Sequence, residues 1–275
     1  MASAIKKVPH PSGKVVFFNP ARHVYSIGAP GSPGARCRSV SSILNQFFPF
    51  DADKVSKIVA TKQEKTQQAV LDEWKMSAQL GTNVHSHIEA LLLKQPPPKF
   101  AVRQGNEEKF LPVATAAVER VQADYEIIAV ETIVVSERFQ LAGTIDFLAK
   151  NRKTGAVMVG DWKTTSSVAT GFKFSSFEGP CPPPVSHLPN SKLTRYALQT
   201  MLYGHILRTE GYASLIDDGI ATMPLEYGLV RFGPNERGEV VADFTRVCES
   251  DLHGVDDAAD LPSTTLIERI CAMTK

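Results

Sequence analysis

Ala156-Val157-Met158-Val159-Gly160-Asp161-Trp162-Lys163 is an apolar run that ends in a carboxylate and a lysine two positions apart. Side chains two apart on a strand point to one face, so Asp161 and Lys163 look the same way with Val157 and Val159 beneath them. A charged pair closing an apolar strand is costly where it is buried without a partner. Taken alone, the triplet reads more readily as a strand end emerging into solvent with two rim charges. An Asn-Arg-Lys-Thr-Gly turn at 151–155 links this run to a second strand over 141–149, which carries Gly143-Thr144-Ile145-Asp146. If the two strands pair as a hairpin, both aspartates face one side. Two converging carboxylates are the hard oxygen ligands that hold Mg²⁺ or Mn²⁺.

Working outward, β-branched alternation over 127–138 adds a third strand, and 193–208 reads as a helix. Strands over 226–232 and 239–245 form a hairpin around Gly233-Pro234-Asn235, and a helix over 263–273 closes the chain. Upstream, residues 14–18 and 23–27 read as a hairpin turning at Asn19-Pro20, followed by a Gly/Pro/Ser loop at 28–34. Ser39 or Ser41 caps a short helix bearing Val40, Ile43, Leu44 and Phe47. The pattern predicts a mostly helical stretch over 51–80, an interruption at Gly81, and a new helix over 82–94 stopped by Pro96-Pro97-Pro98. A further helix covers 107–125, with Pro112 as its weak point. Residues 166–191 show no clean periodicity, and a loop of that length inside a domain is usually functional or disordered. The order of elements predicts one α/β or α+β domain, with a hairpin and helical part over 1–125 and a sheet-containing core over 126–275.

The net charge is +1, so any polyanion site must be a local patch rather than a global field. Cys37, Cys181, Cys248 and Cys271 are far apart and form no Cys-x-x-Cys pair. That argues against structural zinc and a disulfide framework, and for a reducing intracellular compartment. No apolar run approaches the ~20 residues of a membrane-spanning helix, so no membrane partner is expected. The N-terminus lacks a signal-peptide core, and Pro9 and Pro11 would break an amphipathic targeting helix. A mitochondrial address is unsupported by these residues.

Gly81-Thr82-Asn83-Val84-His85 is followed by Glu89, which shares a helical face with His85 at i and i+4. Val84, Ile88, Leu91 and Leu92 form the neighbouring apolar stripe. Gln199 and Tyr203 stand at the same spacing on the later helix. In this order, Gly81-Thr82 through His85 and Glu89, Gly143-Thr144-Ile145-Asp146, Gly160-Asp161-Trp162-Lys163-Thr164-Thr165 and Gln199 with Tyr203 resemble the RecB-type branch of the PD-(D/E)XK nuclease superfamily. The stretch Ser39 to Leu44 is similar to a motif of the mitochondrial genome maintenance exonuclease and its viral relatives, with Ser41 standing where those enzymes use Thr.

The resemblance implies a central mixed sheet flanked by helices, a restriction-endonuclease-like core, and a single nuclease domain over 1–275. It implies His85, Asp146, Asp161 and the Trp162 carbonyl as ligands of Mg²⁺ or Mn²⁺. Lys163 would join the two aspartates in catalysis, and Glu89, Gln199 and Tyr203 would support them. The implied activity is metal-dependent hydrolysis of DNA, by an exonuclease acting on single strands or free ends in replication, repair or recombination. A mitochondrial or viral setting is compatible with it. Ser41, Ser42, Thr164 and Arg195 are candidates for DNA contact. Phe172, Phe174 and Phe177 would stack on bases while Lys173 meets phosphate, or else the rings form a flap packing on the core. Some branches hold an iron-sulfur cluster, but Cys248 and Cys271 lack the spacing, and none is expected here. Two rivals stand beside this reading: a nuclease-like fold that only binds nucleic acid, and an amidohydrolase built on His85-Ser86-His87.

Overall fold

The computed structural model describes residues 5–100, 106–173, 179–212, 222–247 and 263–273. The chain starts with β1 (Lys6–Pro9), β2 (Val15–Asn19), β3 (Val24–Gly28) and β4 (Ala35–Ser39). Helices α1 (Val40–Phe47), α2 (Ala52–Lys62), α3 (Gln67–Leu92) and α4 (Glu107–Asp124) follow. Then come β5 (Tyr125–Ser136), β6 (Leu141–Asn151), β7 (Val157–Thr164), a short α5 (Ala169–Lys173) and α6 (Lys192–Thr209). Strands β8 (Leu225–Pro234) and β9 (Val240–Val247) precede the last helix, α7 (Ser263–Ala272). Among the described residues no helix is long and apolar enough to cross a membrane.

Among the described residues, nine strands make one mixed sheet in the order β1-β2-β3-β4-β6-β7-β8-β9, with β5 on the remaining edge of β6. The β4–β6 and β7–β8 pairs are parallel and the rest antiparallel. The expected hairpins at 14–27, 141–162 and 226–245 are all present within a residue or two. Strands β1 and β4 carry Pro9, Arg36 and Arg38 and lack the apolar alternation that marks the others.

The junction that matters is on β6. Strand β5 follows one edge of β6 from Leu141 to Asn151. The other edge is shared: β4 pairs with Leu141 and Ala142, and β7 with Phe147 to Lys150. Residues 143–146 lie between the two partners, so β6 and β7 splay apart at Asp146. Residues two apart on a regular strand share a face. Here Ile145 packs with α1 and α6, whereas Phe147 packs with α3 and α4, so the faces exchange across Asp146.

Helices cover both faces. Ile43, Leu44, Leu198, Leu202, Ile206 and Ile270 bring α1, α6 and α7 onto one side. Val84, Ile88, Ala114 and Val118 bring α3 and α4 onto the other, against Phe147, Trp162 and Phe232. A third cluster (Val16, Phe18, Tyr25, Ile27) seats β2 and β3 on Ile133, Val135 and Ala142.

Gly81 does not interrupt the helix. Helix α3 runs unbroken through it, and the break falls earlier, where Glu64 takes a left-handed backbone (φ 54°) and the Thr66 side chain accepts the N–H of Ala69 at 3.2 Å. A glycine inside a helix costs about 1 kcal/mol. Burial of Leu80, Val84 and Ile88 on one stripe outweighs that at roughly 1.5–3 kcal/mol for each large side chain. At α1 the capping residue is Ser39, whose Oγ accepts the N–H of Ser42 at 3.1 Å.

Candidate active site

Where β6 and β7 part, the gap is bridged by a side chain. The Asp146 carboxylate reaches across and accepts the backbone N–H of Trp162 at 2.8 Å. That bond holds the Trp162 peptide beside β6 after the ladder has ended. The neighbouring Asp161 is 1% exposed, and Lys163 donates to its Oδ1 at 2.5 Å. Its Oδ2 is buried with no hydrogen-bond partner. Lys163 also lies 4.7 Å from the centre of the Tyr196 ring, a cation–π contact from α6 that the sequence pattern did not suggest.

Helix α3 supplies the imidazole. His85 Nδ1 is 3.7 Å from Asp146 Oδ2, and the ring is hydrogen-bonded to the Trp162 backbone. Glu89, one turn further on, lines the same cleft of about 730 Å³. His87 points away, with Nε2 3.0 Å from Thr115 Oγ1 on α4. The two imidazoles of His85-Ser86-His87 therefore diverge, as neighbours on a helix must, and the amidohydrolase reading loses its ligand pair.

A fourth carboxylate joins the group, and sequence reasoning missed it. Glu131 lies on β5 opposite Asp146, between the paired couples Val130–Phe147 and Thr132–Ile145. Its left-handed backbone (φ 50°) interrupts the ladder there. One ligand atom each from His85, Glu131 and Asp146 lies within 4.8 Å of the others. The only signal in the sequence was a lone acid inside the β-branched run 127–135.

The charges in this cleft are unbalanced. Burial, with Asp146 and Glu89 nearby, pushes Glu131 up to about 8. Burial raises Asp161 to about 6 even though Lys163 pulls the other way, and Asp146 adds to the rise. Asp146 is raised as well, by burial, against the pull of Lys163 and the Trp162 N–H. Burial works against the charge on Lys163, yet Asp161 and Asp146 together raise its pKa, so it is an ammonium at neutral pH. His85 is lowered to about 4 by burial and by Lys163, which leaves the imidazole neutral and its lone pair free to coordinate. An orphaned buried carboxylate oxygen, crowded acids and a neutral imidazole are the donor set that suits a divalent cation.

The PD-(D/E)XK nuclease superfamily pattern matches residues 57–262, more than half of the chain. The chain belongs to that superfamily. Its fold is accordingly the restriction-endonuclease-like mixed sheet, and the Asp146, Asp161, Lys163 constellation falls inside the matched span. Among solved structures it is similar to a "Putative exonuclease" from Eubacterium rectale, with 14% identity, a TM-score of 0.36, and coverage of 71% of this chain and 69% of that one. No curated protein matches it.

For a member of this superfamily, the supporting residues are informative. The Tyr203 ring lies so close to β6 that a Cβ on Gly143 would sit 2.2 Å from Tyr203 Cε1, so only glycine fits there. Gln199 Nε2 donates to the Tyr203 hydroxyl at 3.0 Å, and both line the cleft. Thr164 and Ser41 line it too, and the buried Thr164 Oγ1 lacks a hydrogen-bond partner. Ser42 is exposed at the start of α1, and Arg195 is half-buried on α6; neither lines the cleft. Phe172 is 2% exposed and packs on Tyr196 with ring centres 5.8 Å apart. A base cannot reach a face of that ring, so Phe172 is a packing residue behind Lys163 rather than a stacking platform. Lys173 is exposed, and Phe174 and Phe177 lie outside the described residues.

Proposed function

We propose that this nuclease-superfamily protein is a metal-dependent deoxyribonuclease that removes nucleotides from single-stranded DNA or from free DNA ends. The observation that carries the reading is the fork at Asp146. There Asp146, an α3 imidazole and Lys163 line one cleft, with the buried Asp161 on the lysine and the Trp162 peptide on Asp146 directly behind them.

His85, Asp146 and Glu131, whose ligand atoms lie together, would hold Mg²⁺ or Mn²⁺ along with the unpartnered Oδ2 of Asp161 and the Trp162 carbonyl. The cation, when bound, polarises a phosphodiester and lowers the pKa of water. The rest falls to the chain. Lys163, held as an ammonium by Asp161 and Asp146 while no cation shares them, would orient or activate the attacking water and offset charge building on the phosphoryl oxygens. Asp161 fixes the direction of that ammonium through the 2.5 Å contact, and the Tyr196 ring closes the other side. Asp146 keeps the Trp162 peptide turned into the cleft.

A single-stranded substrate is favoured by the shape of the opening. The cleft is walled by α3 (Ser77, Ala78, Gly81, Thr82) on one side and by Phe18, His23 and Tyr25 of the N-terminal sheet on the other. On this reading a flexible strand would lay a phosphate on the floor between such walls more readily than a rigid duplex would. The experiment is cleavage of end-labelled single- and double-stranded DNA, with free or blocked ends, in Mg²⁺ or Mn²⁺. Lys163→Ala and Asp161→Asn should lower the rate by at least about 100-fold with the fold intact by circular dichroism. Equal turnover by either variant, or full activity in excess chelator, would remove the catalytic reading and leave a nucleic-acid binder.

A further inference from the structure

The N-terminal hairpin has no part in the chemistry above, yet it forms a wall of the same cleft. Phe18, Pro20, His23, Tyr25 and, from β1, Lys6 all line it, alongside Asp146 and Lys163. Phe18 and Tyr25 are buried and stacked on each other, ring centres 4.5 Å apart and planes 17° apart. The His23 ring stands at right angles to both, 5.5 Å from Phe18 and 5.4 Å from Tyr25. Tyr25 also reaches the floor, since its hydroxyl is 2.9 Å from Thr144 Oγ1, two residues before Asp146.

His23 itself is exposed and takes a left-handed backbone with φ 49°. Glycine or asparagine would enter that conformation more readily. The turn thus holds an exposed ring in the cleft wall, set against two buried aromatics and with Nε2 3.5 Å from the Tyr25 hydroxyl. The floor of the cleft is crowded with carboxylates and repels a polyanion except where a cation or Lys163 meets it. Lys6, close enough to Glu131 to oppose the acids around it, is the basic group on this wall.

We propose that β1–β3 is a nucleobase-binding wall: an unpaired base of the substrate strand stacks against His23, and Lys6 meets a phosphate of the same strand. The base must be unstacked from its neighbours to fit, which selects a single strand. The proposal rests on the nuclease reading and adds to it where the strand lies.

The test uses His23→Asn, because asparagine accepts the left-handed backbone and removes only the ring. Two substrates are compared in Mn²⁺: a fluorescein-labelled oligothymidylate, and bis(para-nitrophenyl) phosphate, a diester with no nucleobase. The ratio of kcat/KM for the oligonucleotide to that for the small diester should fall by about 5- to 150-fold, the equivalent of about 1–3 kcal/mol for one stacked base. An oligonucleotide series with one abasic residue moved along the strand should show one position that weakens wild type but not His23→Asn. Lys6→Ala should flatten the salt dependence of oligonucleotide KM by roughly 0.7 in log–log slope. An unchanged ratio together with identical abasic profiles would overturn the base-binding wall alone. Wild-type protein that cuts neither substrate would take down the nuclease reading and this proposal with it.

Discussion

Glu131→Gln is the substitution whose consequences follow most directly from the charge balance of the cleft. The folded protein holds this carboxyl at about 8, against an ordinary 4.5, because it is buried and faces Asp146 and Glu89. The stability that a neutral Glu131 contributes is fully present below about pH 4.5, where folded and unfolded chains both carry the proton. It is lost as pH rises through about 8, where the folded protein must ionise the group as well. The span from 4.5 to about 8 corresponds to about 5 kcal/mol, reached only if nothing rearranges. Rotation toward water and toward Lys6 should leave about 1–3 kcal/mol. At about 2–4 °C per kcal/mol for a chain of this size, metal-free Glu131→Gln should melt roughly 3–10 °C above wild type at pH 9 and at the same temperature near pH 4.5. Melting is followed by differential scanning fluorimetry in chelator and then in millimolar Mn²⁺. The cation should stabilise wild type more than the variant, because it relieves a repulsion the variant no longer has. A melting difference that is the same at both pH values would refute the crowded-carboxylate argument. An equal Mn²⁺ shift in the two proteins would show that Glu131 does not face the cation.

Gly143→Ala should lower stability by about 1–3 kcal/mol and reduce cleavage, since the new methyl overlaps the Tyr203 ring; thermal melts and rates on a labelled strand read both, and an unchanged melt would mean that the ring yields freely. His87→Ala should cost about 0.5–1.5 kcal/mol through the lost Thr115 contact and leave the rate per folded molecule unchanged. Loss of metal binding in that variant, measured by titration calorimetry, would revive the His-x-His reading.

Much of the fold was legible because local pattern and final environment agree. Residues 141–149 and 156–162 alternate or run apolar and became the paired β6 and β7; Leu198, Leu202 and Ile206 keep helical spacing and became the buried stripe of α6. Gly81 misled because a propensity of about 1 kcal/mol is visible in the sequence, while the tertiary burial that overrides it is not. Strand β4 was hidden for the opposite reason. Its Ala-Arg-Cys-Arg-Ser composition gives no strand signal, and its place is fixed by antiparallel pairing with β3 and by a two-residue parallel contact with β6, the second of which no local window contains.

The site divides along the same line. His85, Asp146, Asp161, Lys163, Gln199 and Tyr203 were found because each belongs to a short motif whose spacing sets its direction; five line the cleft, and Asp161 lies behind it in contact with Lys163. Glu131 belongs to no such motif. It meets Asp146 only because β5 and β6 pair in a register where 131 falls opposite 146, and because the left-handed backbone at Glu131 turns its carboxyl toward the fork. Register is a property of two strands and backbone strain a property of one residue, so neither is written in a window around Glu131. The same holds for His23, which also has a left-handed backbone and also borders the cleft. Among the described residues, two of the five non-glycine residues with positive φ, His23 and Glu131, line the cleft that holds Asp146 and Lys163. At Glu131 the side chain is what meets His85 and Asp146, and a glycine there would ease the backbone but remove that carboxylate from the fork.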